Sequence, residues 1–257
     1  MKYKLDLTKL LTWILALFAA STIAYNFSGQ VYLHLAATLG FALILYWLYS
    51  NFSSKHKSIW TTMITGLLIF LILDPGSEPI HLLVPLIATF LAITLKFFVE
   101  YKGSPMVNPA AAGILLTAAI AAIIPNFGPA ETSWWGTNFQ QVIPFALLIV
   151  WLILGLYKLK KLPLVATFLL THFIVLYLRG ANMEAMTLIF GSPEIYFLAG
   201  ILLIDPKTSP LKVRQEVYYG LVAALFLNIF IQYEVHHAGL FAVVAANFSN
   251  VLLNPKK

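Results

Sequence analysis

Three carboxylates stand where an apolar chain rarely keeps charge. Asp74 closes the run IFLILDPGSEP (69–79), Asp205 closes GILLIDPKTSP (200–210), and Glu194 follows Gly191-Ser192-Pro193 inside another apolar stretch. Ionisable groups at membrane depth are costly and usually serve ion or proton movement. Asp205, Glu194 and Asp74 are therefore candidates for a cation or proton pathway. The plainer reading makes Asp74 and Asp205 caps of two helix ends, with Asp205 pairing locally to the basic residues that follow it. Glu194 is the best candidate for an intramembrane carboxylate, because Gly-Ser-Pro beside it predicts a helix break. A shallower helix end would explain it equally.

A second constellation is VNPAAAG, residues 107–113. Proline in a first helical turn loses no intrahelical bond, and an asparagine before it can cap the free N–H groups. The small residues from Ala110 to Gly113 let another backbone or a ring approach closely. A helix that starts within the bilayer also aims its positive end at an anion or an electron-rich ring. Asn108, Pro109 and Gly113 are thus candidate binding residues, with close helix packing as the alternative.

These residues need elements to hold them, and composition says which kind. The chain has 257 residues, 60% of them hydrophobic and 10% charged, with a mean hydropathy of +0.86. Soluble domains carry about 25% charged residues, so this composition implies an all-α integral membrane protein. Ten stretches approach the roughly 20 apolar residues that a spanning helix needs. They lie near 10–25, 30–50, 59–73, 80–99, 107–124, 140–157, 162–178, 185–204, 216–232 and 236–253, and together they make one membrane domain over 1–257. The basic, apolar N-terminus resembles a signal peptide, but no small-residue cleavage site follows, so it reads as the first span. With the N-terminus inside, 15 of the 16 Lys and Arg residues fall on the cytoplasmic side and only Arg179 falls outside. That bias is the positive-inside pattern and predicts both termini in the cytoplasm, at the inner (cytoplasmic) membrane. It reads the lysines as topology signals in contact with the lipid bilayer's headgroups, and no nucleic acid is implied.

Asp205 lies 131 positions after Asp74, with five predicted spans between them, so the two Asp-Pro phrases fall on opposite faces. After each comes a long helix, a polar break and a small-residue helix, VNPAAAGILLTAAI (107–120) in one half and GLFAVVAANFSNVLL (239–253) in the other. The order predicts two inverted five-helix repeats, roughly 1–125 and 138–257. Inverted repeats place substrate or ion sites near the midplane, at helices broken by Pro and Gly.

Four motifs in order carry a family resemblance: Ile64-Thr65-Gly66-Leu67-Leu68, then Val107-Asn108-Pro109-Ala110-Ala111-Ala112-Gly113, then Asp205-Pro206-Lys207-Thr208-Ser209-Pro210, then Tyr219-Gly220. From about residue 60 onward the chain resembles the RnfD/NqrB family, whose members are membrane components of the Rnf electron transport complex and of the sodium-pumping NADH:quinone oxidoreductase. Residues 1–59 match only as two hydrophobic spans. The resemblance implies a ten-helix subunit of a redox complex that carries a flavin. In that family FMN is esterified to a threonine in a Ser-Gly-Ala-Thr motif, in the extracytoplasmic loop after the NPAA helix. This chain contains no such motif, and the corresponding loop, PNFGPAETSWWGTNFQQ (125–141), offers Thr132, Ser133 and Thr137. Thr137 follows a glycine and sits best, but its spacing is one residue too long, so the expectation is FMN or riboflavin held non-covalently. Trp134 and Trp135 can stack on an isoalloxazine ring, or serve as interfacial belt aromatics.

The reading that follows is a membrane electron-transfer subunit with no complete active site of its own. Its partners would be other membrane and cytoplasmic redox subunits and a quinone or extracytoplasmic acceptor, with coupling to cation transport as an open feature. A second reading is a transporter or channel for a small solute such as a flavin, and a third is a scaffold that has lost its cofactor. The chain has no cysteine, which excludes thiolate-ligated clusters and Cys-based zinc sites. It has no H-E-x-x-H, G-x-S-x-G, Walker A or G-x-G-x-x-G, and no histidine spacing that calls for a haem pair.

Overall fold

The computed structural model describes residues 6–26, 28–52, 58–76, 79–101, 103–124, 127–128, 130–134 and 142–253. Nearly all of them are helical, and the chain divides into two compact units.

Unit 1 comprises 1–99 and 112–147. Helix α1 (Leu7–Tyr25) starts where the Asp6 carboxylate accepts from the N–H groups of Thr8 and Lys9, which satisfies two orphan donors of the first turn. Helix α2 (Gly29–Leu35) runs through a π-helical turn, Ala36–Gly40, into α3 (Phe41–Phe52). Helix α4 (Ile59–Ile72) is buried without a break from Gly66 to Ile72. Gly66 allows this packing: a Cβ there would stand 3.1 Å from the Leu39 Cα and from the Thr38 carbonyl oxygen. Beyond α4 the chain enters α5 (Leu83–Phe98) and, after a segment of unit 2, the body of α6 (Pro109–Ile123). The loop after α6 closes the end of α4. Trp134 donates its backbone N–H to the Ile72 carbonyl at 3.1 Å, and the Asp74 N–H donates to the Glu131 carbonyl at 3.0 Å.

Unit 2 comprises 100–111 and 148–257. It opens with a two-residue antiparallel hairpin, β1 (Glu100–Tyr101) on β2 (Ser104–Pro105), a small departure from the all-helical expectation. It holds the first turn of α6, most of α7 (Val142–Leu159), α8 (Leu162–Leu178), α9 (Met183–Gly191), α10 (Pro193–Phe197), α11 (Val213–Gln232) and α12 (Ala238–Leu253). Helix α11 packs along both α8 and α12. A Cβ on Gly220 would lie 2.5 Å from the Leu164 carbonyl oxygen, so only glycine lets α11 meet the α8 backbone. Helix α10 continues as a second π-helical turn, Leu198–Leu202, and the Trp151 indole donates to the Gly200 carbonyl at 2.7 Å.

Among the described residues three helical stretches, Leu7–Tyr25, Gly29–Phe52 and Ile80–Phe98, are long and apolar enough to cross a membrane. Met183–Gly191 with Pro193–Leu202 passes as a pair bent by 52°, at the Gly-Ser-Pro break that the sequence predicts. Five further apolar helices among the described residues have 10 to 17 residues. The chain is therefore an apolar, helical membrane protein, with three or four spans evident by length and composition.

Candidate functional site

The two Asp-Pro phrases fold into the same local device. Asp74 accepts the Gly76 N–H on Oδ1 at 2.7 Å, and Asp205 accepts the Lys207 N–H on Oδ1 at 3.1 Å. A carboxylate that bonds the backbone two residues on is an Asx turn. Each aspartate thus turns the chain just beyond an apolar helix. Asp74 is exposed and Asp205 half-buried.

Asn108 does two jobs at the start of α6. Its Oδ1 accepts from Ala110 N (3.1 Å) and Ala111 N (3.2 Å), capping the helix at Pro109. Its own N–H donates to Asn247 Oδ1 at 2.6 Å, across 139 residues of chain. Since a backbone N–H can only donate, the Asn247 amide oxygen must face Asn108. Its NH₂ then faces Tyr219, and Asn247 Nδ2 donates to the phenol oxygen. Tyr219 therefore accepts here, and its own O–H proton is left for a further acceptor. All three residues are 2% exposed or less.

The Asp205–Pro210 turn adjoins these residues through α12, where Asn250 Nδ2 donates to the Thr208 carbonyl at 2.7 Å. Thr208 Oγ1 and Ser209 Oγ are buried with no hydrogen-bond partner among the described residues. The turn is anchored from its other side by Lys161, whose Nζ donates to the Pro210 carbonyl and, at 2.9 Å, to Glu216 Oε1. Both charged side chains are 3% exposed. In unit 2, helix α12 thus binds the NPAA and YG segments at the buried Asn247 and the DPKTSP segment at the half-buried Asn250.

The other candidate residues lie elsewhere. Gly113 belongs to unit 1, where it serves close packing: a Cβ there would stand 2.6 Å from the Ala88 carbonyl oxygen and 2.7 Å from the Ala92 Cβ. Trp134, also in unit 1, is half-buried and takes a left-handed backbone with φ of 49°. Trp135 and Thr137 lie outside the described residues. Glu194 sits in the first turn of α10, at the break in the bent pair, and is exposed there rather than enclosed. Ser192 Oγ caps that turn by accepting the Glu194 N–H at 3.3 Å.

Two lysines expected at the headgroups are instead buried. Lys161 is 2% exposed and Lys96 3%, the latter donating to the Thr61 carbonyl and, at 3.0 Å, to Thr65 Oγ1. Their partners lie 31 to 55 residues away, so no local pattern separates them from the exposed lysines. Asn247 has no local mark of its role for the same reason, although AANFSN places two asparagines in an otherwise apolar helix. Among the described residues no group of three His, Cys, Asp or Glu side chains is placed to hold a metal ion.

No family model and no curated protein sequence matches this chain.

Proposed function

We propose that this chain is a membrane-embedded electron-transfer subunit of a multi-subunit redox complex, holding FMN or riboflavin non-covalently. The proposed architecture is ten spans in two inverted five-helix repeats, both termini cytoplasmic, in the inner membrane. The observation that carries the reading is the buried Asn108–Asn247–Tyr219 network, in which two motif segments meet at a tyrosine with a proton to donate, while Asn250 of the same helix α12 holds the third. Flavin carbonyl or phosphate oxygens suit that donor, and the unpartnered Thr208 and Ser209 hydroxyls add two more. A flavin held by these residues supplies one- and two-electron transfer. The chain's own contribution is to orient the Tyr219 hydroxyl through Asn247, to fix the Asp205 turn through Lys161, and to keep bulk water out of both. Nicotinamide or ferredoxin chemistry belongs to partner subunits, and a quinone or an extracytoplasmic acceptor takes the electrons. Asp205, Glu194 and Asp74 stay the residues proposed for any coupled cation or proton path.

A second reading, a small-solute transporter, is favoured by the 52° bend at Gly191–Pro193, because broken helices line substrate sites in inverted-repeat carriers. Vesicles that contain the purified chain separate the two. The redox reading expects a yellow chromophore bleached by a chemical reductant and no flavin flux. Reversible flavin flux without any donor contradicts it.

A further inference from the structure

Among the described residues of unit 2, five exposed cations form two groups, with the exposed Arg179 apart from them on the α8–α9 turn. Lys158 and Lys160 lie at the end of α7 and in the turn beyond it, while Lys207, Lys212 and Arg214 lie on the loop after Asp205 and in the first turn of α11. Lys160 has a left-handed backbone, φ 56°, which makes the α7–α8 turn tight. None of the five has a carboxylate partner among the described residues, since Glu216 is taken by Lys161. The groups are about 50 residues apart in sequence, and the buried Lys161 joins them: it leaves the α7–α8 turn and bonds Pro210 and Glu216 on the other group's loop and helix. Large apolar side chains stand among the charges, with Leu211 75% and Val213 61% exposed beside Lys212 and Arg214, and Leu162 62% exposed after the first group. Lysine and arginine with exposed aliphatic neighbours at the ends of apolar helices match the boundary between phosphate headgroups and acyl chains.

We propose that this face binds an anionic phospholipid whose headgroup carries two phosphates, one for each basic group, with the buried Lys161–Glu216 pair setting their separation. The exposed Leu162, Leu211 and Val213 meet the acyl chains. An acidic protein partner would satisfy the charges but gives those side chains no apolar phase. The inference does not depend on a bound flavin.

The test is native mass spectrometry of the delipidated full chain, titrated with cardiolipin, phosphatidylglycerol or phosphatidylcholine. Cardiolipin is expected to be retained at least about tenfold better than phosphatidylglycerol, since a second phosphate engages further cations. Neutralising one group, as K158Q/K160Q or as K207Q/K212Q, is expected to lower cardiolipin retention by about tenfold or more. The double variant K161M/E216L keeps all five exposed cations and replaces a buried ion pair with apolar side chains, a change that folded proteins tolerate. It is expected to erase the preference for cardiolipin over phosphatidylglycerol. Equal retention of the two anionic lipids by the natural chain overturns the proposal, as does a preference that any of these variants leaves unchanged. So does the absence of lipid preference together with loss of an acidic co-purifying protein from the lysine variants.

Discussion

Asn247 is the residue on which the cluster turns, because both ends of its amide are committed. Replacing it by leucine leaves the Asn108 N–H buried without an acceptor, which costs about 1–3 kcal/mol. The Asn247→Leu variant is expected to lose thermal stability and bound flavin together. Tyr219→Phe keeps the packing of a ring that is 1% exposed, so it is expected to lose flavin, read as pigment released per protein, with a smaller fall in midpoint. The ion pair gives a sharper contrast. Removing one partner of a buried pair strands the other charge and costs about 3–5 kcal/mol, whereas replacing both with apolar groups is often neutral. Lys161→Met is therefore expected to lower the thermal midpoint strongly, and adding Glu216→Leu to restore it. For the Asx turns, asparagine can replace aspartate as the acceptor. Asp74→Asn and Asp205→Asn should melt like the natural chain while the alanine variants melt lower. What is legible in the sequence at this scale is local: Asn108-Pro109 as a helix start and Asp-Pro as a helix end. The burial of Lys161 and Lys96 is not, because a lysine stem can snorkel outward or fold inward, and the choice rests on partners distant in sequence.

At the scale of elements, glycines decide which helices touch. A methyl group on Gly220 would meet the Leu164 carbonyl oxygen at 2.5 Å, and one on Gly113 the Ala88 carbonyl oxygen at 2.6 Å, and backbone cannot move aside as a side-chain tip can. Gly66 is looser, at 3.1 Å. Alanine at Gly220 or Gly113 is expected to cost about 1–3 kcal/mol as overpacking, and alanine at Gly66 less, an order that comparative thermal melts of the three variants can check. The bend between α9 and α10 is readable from Gly191-Ser192-Pro193, since proline cannot donate into a continuing helix. The π-helical turns at Ala36–Gly40 and Leu198–Leu202 carry no such mark. Nothing in AATLG or LAGIL differs from ordinary apolar helix, and the second turn is matched by Trp151, 49 residues away, whose indole takes up the Gly200 carbonyl.

For the whole molecule, apolar composition makes the membrane and the helices legible, while the number and direction of crossings rest on charge bias. The absence of cysteine makes that bias testable without background labelling. Single cysteines at Lys9, Lys160 and Lys212 are expected to react with a membrane-impermeant maleimide only in inverted vesicles, and one at Glu184 only in intact cells. Whether the cluster around Tyr219 holds a non-covalent flavin in a membrane redox subunit is tested most directly by the absorption spectrum of the detergent-purified chain before and after acid precipitation. Flavin bands near about 450 nm, a property of the cofactor, are expected to pass to the supernatant on precipitation and to be absent from Tyr219→Phe. A chain that stays colourless when produced with its partner subunits, or a yellow Tyr219→Phe, would contradict that assignment.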